Sequence, residues 1–123
     1  MPKIPLPLRI LAALIGLIFV LAGGAKLAAQ QMMLDQFAHF GYASWFMYLV
    51  GLGEVLLGAG LFIPRVMKLA ALGLAPIMFG AVVTHALHDP LSAAIPAAAL
   101  LMLLGYVAWR LNRLALAVGD PLQ

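Results

Sequence analysis

The chain is 123 residues long, 66% hydrophobic and only 9% charged. A soluble domain sits nearer about 45–50% apolar and about 25% charged, so too little polar surface exists to coat a water-soluble globule, and an integral membrane protein is expected. Cysteine is absent, which excludes disulfides, dithiol chemistry, thiolate metal sites and cysteine nucleophiles, while the net charge of +3 has a placement along the chain that argues against nucleic acid.

A membrane-crossing helix needs about 20 mostly apolar residues. The first such stretch runs from about Leu8 to Ala28. Lys3, Arg9 and the small residues Gly23–Ala25 have the look of a signal peptide, but the apolar run exceeds the roughly 7–15 residues of an h-region. An uncleaved helix is expected. Gly16, Phe19, Gly23 and Lys26 follow the 3-and-4 spacing of one face. Small residues mark faces where membrane helices approach closely, so Lys26 should turn into the bundle.

The segment "QQMMLDQFAHFGY" (30–42) comes next. Met33, Phe37 and Phe40 recur at helical spacing while Asp35, Gln36 and His39 fall off that line. This predicts a short amphipathic helix in the outer interface, with Tyr42, Trp45 and Tyr48 at headgroup depth.

The second span covers about Ala43–Ile63, and Met47, Gly51, Glu54, Gly58 and Leu61 share one of its faces. Glu54 falls about 16 Å below the outer end at 1.5 Å per residue. A charge at the bilayer centre costs about 2.5–3.5 kcal/mol even on the mild insertion scale, so Glu54 needs a partner or a task.

"FIPRVMK" (62–68) breaks the helix, and the third span runs from about Val66 to Leu87. Pro76 is predicted to bend it and open space beside Glu54. His85 reaches nearly the depth of Lys26, with Thr84, His88 and Asp89 around it. "GLIFVLAG" (16–23) and "GLAPIMFG" (73–80) carry the same glycine spacing, a hint of two parallel hairpins. "HDP" then marks a boundary, and the alanine-rich fourth span, about Leu91–Trp109, which Pro96 is predicted to bend as Pro76 bends the third, suits close packing within the bundle or against a second copy.

Lys3, Arg9, Arg65, Lys68, Arg110 and Arg113 lie on one side of this arrangement and Lys26 alone on the other. The positive-inside rule puts both termini in the cytoplasm. These cations flank helix ends instead of forming a basic face, so nucleic acid is excluded as a partner. The expected architecture is all-α: one transmembrane domain over residues 1–123, a four-helix bundle with a short interfacial helix in its first outer loop.

Lys26, Glu54 and His85, with Thr84 close by, assemble into one outward-opening polar site, as an ion pair or a wider hydrogen-bonded network. Tyr42, Ser44, Gly51, Gly58 and His88 are expected to line it. A purely structural cluster setting helix register is the alternative. His85 and His88 alone do not make a metal site, and no metal is expected.

The chain resembles the DoxX/DoxD-like family of small bacterial four-helix membrane proteins. "GLIFVLAGGAKLA", "GLGEVLLGAGLFIPRVMKLAA" and "ALGLAPIMFGAVVTHAL" follow its glycine-then-lysine, glycine-flanked glutamate and late-histidine pattern. The resemblance implies a compact bundle in the bacterial inner membrane, association with redox or detoxification complexes, and Lys26, Glu54 and His85 as the positions to carry over.

Three functional classes follow. An accessory subunit would hold a quinone- or lipid-like amphiphile, with the bilayer and a soluble or membrane redox partner around it. An enzyme would be a quinone-linked oxidoreductase subunit; no flavin or nicotinamide motif and no haem-ligand pair is present, so its redox centre must come from a bound quinone or a partner. An assembly chaperone or scaffold would use the polar cluster structurally. A proton-coupled transporter would require a homodimer.

Overall fold

The computed structural model describes residues 3–118; residues 1–2 and 119–123, and with them the expectation for the two chain ends, lie outside the described residues. Five α-helices follow one another: α1 (Leu6–Leu27), α2 (Gln31–Phe40), α3 (Ser44–Gly60), α4 (Met67–His88) and α5 (Ile95–Ala117), with a 3₁₀ turn at Leu91–Ala94 before α5.

Local chemistry sets the boundaries. Pro7 and Pro96 occupy the first turns of α1 and α5, where a missing N–H leaves no intrahelical bond unmade. α2 stops at Gly41, whose φ of 81° is left-handed, and the Tyr42 N–H donates back to the Phe37 carbonyl at 2.9 Å. α1 closes in the same way at Ala29 (φ 53°), with the Gln30 N–H on the Ala25 carbonyl at 3.1 Å.

Helix ends differ from the hydropathy reading at several places, two of them at C-termini. α3 ends at Gly60, because Leu61, Phe62 and Ile63 close tighter i→i+3 turns onto Gly58, Ala59 and Gly60. α5 continues past Trp109 to Ala117, burying Leu111 and Ala115. Hydropathy marks where lipid ends, whereas backbone hydrogen bonding decides where a helix ends.

α1, α4 and the Leu91–Ala117 segment are each long and apolar enough to cross a membrane. α2 and α3 form a pair bent by 117°, which raises the number of candidate spans from 3 to 4 if the pair counts as one. Large apolar side chains such as Leu14, Leu21, Leu56, Leu69 and Met102 cover the outside, the reverse of a water-soluble bundle. The described residues are all-helical, with 3 to 4 helices long and apolar enough to cross a membrane.

α1 packs antiparallel on α3, and α4 on α5. The first contact is a glycine seam: a Cβ on Gly16 would stand 2.6 Å from the Gly58 carbonyl oxygen, and one on Gly23 would stand 2.5 Å from that of Gly51. The two backbones touch there, as small residues permit. Phe19 and Ile15 of α1, Leu74 of α4 and Leu104 and Val107 of α5 belong to one shared core. The matching glycines of the third span do something else. A Cβ on Gly73 would meet the Leu57 side chain, and one on Gly80 would meet nothing within 4 Å, so the repeated spacing does not reproduce the seam.

Candidate functional site

The seam positions the charges. Gly51 sits so close to α1 that a Cβ on it would come within 2.8 Å of Lys26 Cβ. Lys26, near the end of α1, therefore turns its stem down along α3 instead of out toward solvent, and its Nζ reaches 2.8 Å from Glu54 Oε1. Glu54 is 2% exposed. Oε1 is buried against the Lys26 ammonium, with no other polar partner among the described residues. That leaves capacity for one further hydrogen bond.

Beside the pair lies a cavity of about 650 Å³ between α3 and α4. Phe46, Leu49, Val50 and Glu54 form its α3 wall, and the stretch from Pro76 to Ala81 with Val83, Thr84 and His85 forms its α4 wall. Lys26 closes one side, while Gln36, Phe37, Phe40 and Tyr42 lie across the end nearest α2. Pro76, singled out as a space-making residue, is part of this wall.

Thr84 is buried, and its Oγ1 shares a 2.8 Å hydrogen bond with the Tyr42 hydroxyl. His85 also lines the cavity but does not reach Glu54. Its Nδ1 is 2.9 Å from Asp89 Oδ2, and the other carboxylate oxygen of Asp89 lies 2.8 Å from His39 Nε2 on α2. The polar groups thus form a Lys26–Glu54 pair at depth, a Tyr42–Thr84 pair above it and a His39–Asp89–His85 bridge at the α2 end. The wider Lys–Glu–His network does not form, because the i+4 position of Asp89 captures His85.

The bridge holds the Asp89 carboxyl below the usual carboxylate range, chiefly through the hydrogen bond with His85 and then that with His39.

Four residues expected to line the site do not. Gly51 and Gly58 are buried against α1, facing Gly23 and Phe19. Ser44 opens α3 on an exposed position outside the cavity. His88 donates its Nδ1–H to the Thr84 carbonyl at 2.9 Å and packs its ring against Phe40. Conversely, Phe37 and Phe40 line the cavity where an outer-interface face was expected, so α2 covers that end instead of leaving it open. Asp89 joins two helices through His39, fifty residues away, a link with no sequence signal; its i+4 partnership with His85 is the half that spacing could have flagged.

The profile of the DoxX-like family matches residues 10–108, from the second turn of α1 to the middle of α5, including Lys26, Glu54, Thr84, His85 and Asp89. No curated protein and no solved structure matches the chain.

Proposed function

The chain belongs to the DoxX-like family, and from that premise we propose that it holds a quinone- or lipid-like amphipathic molecule between α3 and α4, as an accessory subunit of a redox or stress-related membrane complex. The observation that carries this reading is the 650 Å³ cavity with the buried Lys26–Glu54 pair on its wall. Its size falls in the range of small-molecule sites, and an apolar lining with a few convergent polar groups is what such sites use. Intramembrane ionisable groups serve function by default.

The polar groups suit a quinone-like head: Lys26 N–H groups and the Tyr42–Thr84 hydroxyls can donate to a carbonyl, and Glu54 can accept from a hydroxyl. A quinone, when bound, would supply the redox chemistry that these side chains lack. Lys26, Glu54, Thr84 and Tyr42 would orient the head, and the aromatic rings of Phe37 and Phe40 would shield it from water.

In this reading α1, α3, α4 and the α5 segment cross the bacterial inner membrane, and α2 lies at the periplasmic surface. α3 alone extends about 25 Å at 1.5 Å per residue, short but adequate beside its flanking turns. Lys3, Arg9, Arg65, Lys68, Arg110 and Arg113 mark the cytoplasmic side, with both termini.

Mass spectrometry of gently solubilised protein, intact and after organic extraction, tests the reading. A specific small molecule bound to the wild type and lost in Glu54→Gln is the expected result. Protein carrying nothing beyond bulk lipid in both forms rejects it and moves attention to docking against another membrane protein.

A further inference from the structure

The cavity has one covered end and one open flank. At the α2 end, Phe37 and Phe40 are both buried against it, and the His39–Asp89–His85 bridge ties α2 to the end of α4. Between α3 and α4 the lining is exposed: Phe79 by 61%, Leu49 by 56% and Val83 by 40%. At 1.5 Å per residue, Leu49 lies about 8 Å below the start of α3, and Phe79 about 14 Å below the end of α4. Both depths fall within the hydrocarbon, where an exposed apolar rim meets acyl chains and not water.

The chemistry of the wall narrows what can sit there. Lys26 and Glu54 form a 2.8 Å ammonium–carboxylate pair whose charges offset each other. Of the other titratable lining residues, His85 is engaged by Asp89 and the Tyr42 hydroxyl by Thr84. An anionic head would therefore bring an uncompensated charge into an apolar cavity, and a cationic head would do the same. Glu54 Oε1 is buried with the Lys26 ammonium as its charge partner and no other polar partner among the described residues, so its remaining lone pair suits a hydroxyl donor and not an acceptor-only group.

Resting on the binding reading above, we infer that the occupant is a membrane-resident amphiphile with an uncharged, hydroxyl-bearing head, and that it reaches Glu54 sideways from the bilayer through the gap between α3 and α4. The head donates to Glu54 Oε1, and the tail leaves past Leu49 and Phe79 into the lipid. Two sources share this chemistry, a diacylglycerol-type lipid and a reduced isoprenoid quinone.

The test uses the full-length protein in phosphatidylcholine nanodiscs doped at equal mole fraction with dioleoylglycerol, a reduced isoprenoid quinone or dioleoyl phosphatidate. Native mass spectrometry reads the bound fraction. At least one of the two hydroxyl-bearing probes is retained tenfold or more above phosphatidate, and the arm that is retained identifies the source. Glu54→Gln narrows that preference to within threefold. Phosphatidate retained as well as both hydroxyl probes overturns the assignment of the head.

The path of access is tested by Gly80→Trp. Gly80 lines the cavity, and a Cβ there meets nothing within 4 Å, so the bulk occupies the gap without disturbing the seam. Uptake of the retained probe from doped vesicles falls at least tenfold in this variant, and Val83→Trp does the same from the neighbouring turn. Unchanged uptake in both overturns lateral access. If an endogenous molecule is lost on Glu54→Gln but neither hydroxyl probe is retained, the ligand class is wrong while the binding reading stands. If neither an endogenous molecule nor a probe is retained, both fail.

Discussion

Gly23 and Gly51 meet backbone to backbone: a Cβ on Gly23 would lie 2.5 Å from the Gly51 carbonyl oxygen and 2.9 Å from the Glu54 Cβ. This approach sets α1 close enough to α3 for Lys26 to reach Glu54. The glycine seam and the ion pair are one construction, and altering the first displaces the second.

Gly23→Ala forces the two helices apart, because the obstructing atom is backbone and cannot swing away. The expected cost is about 1–3 kcal/mol, the range for overpacking, measured by unfolding in mixed micelles. Gly80→Ala, with open space around it, is the control. It should be neutral or stabilising by up to about 1 kcal/mol, from helix propensity alone.

Lys26→Met leaves the Glu54 carboxyl buried without its charge partner and should destabilise by about 3–5 kcal/mol. Adding Glu54→Gln to that variant should recover part of the loss, so the double variant is more stable than the sum of the single changes predicts. Strict additivity in a double-mutant cycle would mean that the 2.8 Å contact carries no coupling.

The Asp89 bridge has a defined pH sign. Its carboxyl is held below the usual range by hydrogen bonds from His85 and His39. A depressed folded-state pKa contributes stability that is present above the ordinary carboxylate value and lost as pH falls through the lowered one. Hydrogen exchange should therefore show α2 protected from neutral pH down through the ordinary carboxylate range, and released only below it. Asp89→Asn should loosen α2 across the whole interval. His88, whose ring lies 6.5 Å from that of His39, and Asp35, on α2 itself, are also titratable on this side, and His88→Gln and Asp35→Asn check that neither sets the transition.

Tyr42→Phe removes the partner of a buried hydroxyl, Thr84. A cost of about 1–3 kcal/mol is expected, the range for a buried polar group left without its partner. Tyr42→Phe paired with Thr84→Val should cost less than the sum of the two, since no orphaned group remains.

The absence of cysteine makes the topology directly testable. Single Ala38→Cys on α2 and Arg113→Cys on α5, both at exposed positions, should label from opposite sides of intact cells with a membrane-impermeant maleimide: Ala38→Cys from outside, Arg113→Cys only after lysis. Labelling of both from the same side contradicts the proposed orientation.

Much of this molecule was legible in the chain itself. Hydrophobic runs of membrane length, interrupted at "FIPRVMK" and "HDP", define the helices, because a span must be apolar for its whole length and its backbone must be satisfied within the helix. Glycines at 3-and-4 spacing place Lys26 and Glu54 on facing surfaces, since only small residues let two backbones touch. Those are local or periodic properties, and periodicity is what a sequence carries. The i+4 spacing of His85 and Asp89 is readable too, but only the tertiary structure decides that Glu54 stays out of reach of His85, that His39 joins the Asp89 carboxylate from α2, and that Phe37 and Phe40 close the cavity while Phe79 and Leu49 leave its flank open. These outcomes depend on how helices far apart in the chain are set against each other, and on which of several acceptors within reach lies at the right distance. No spacing within one helix encodes that choice.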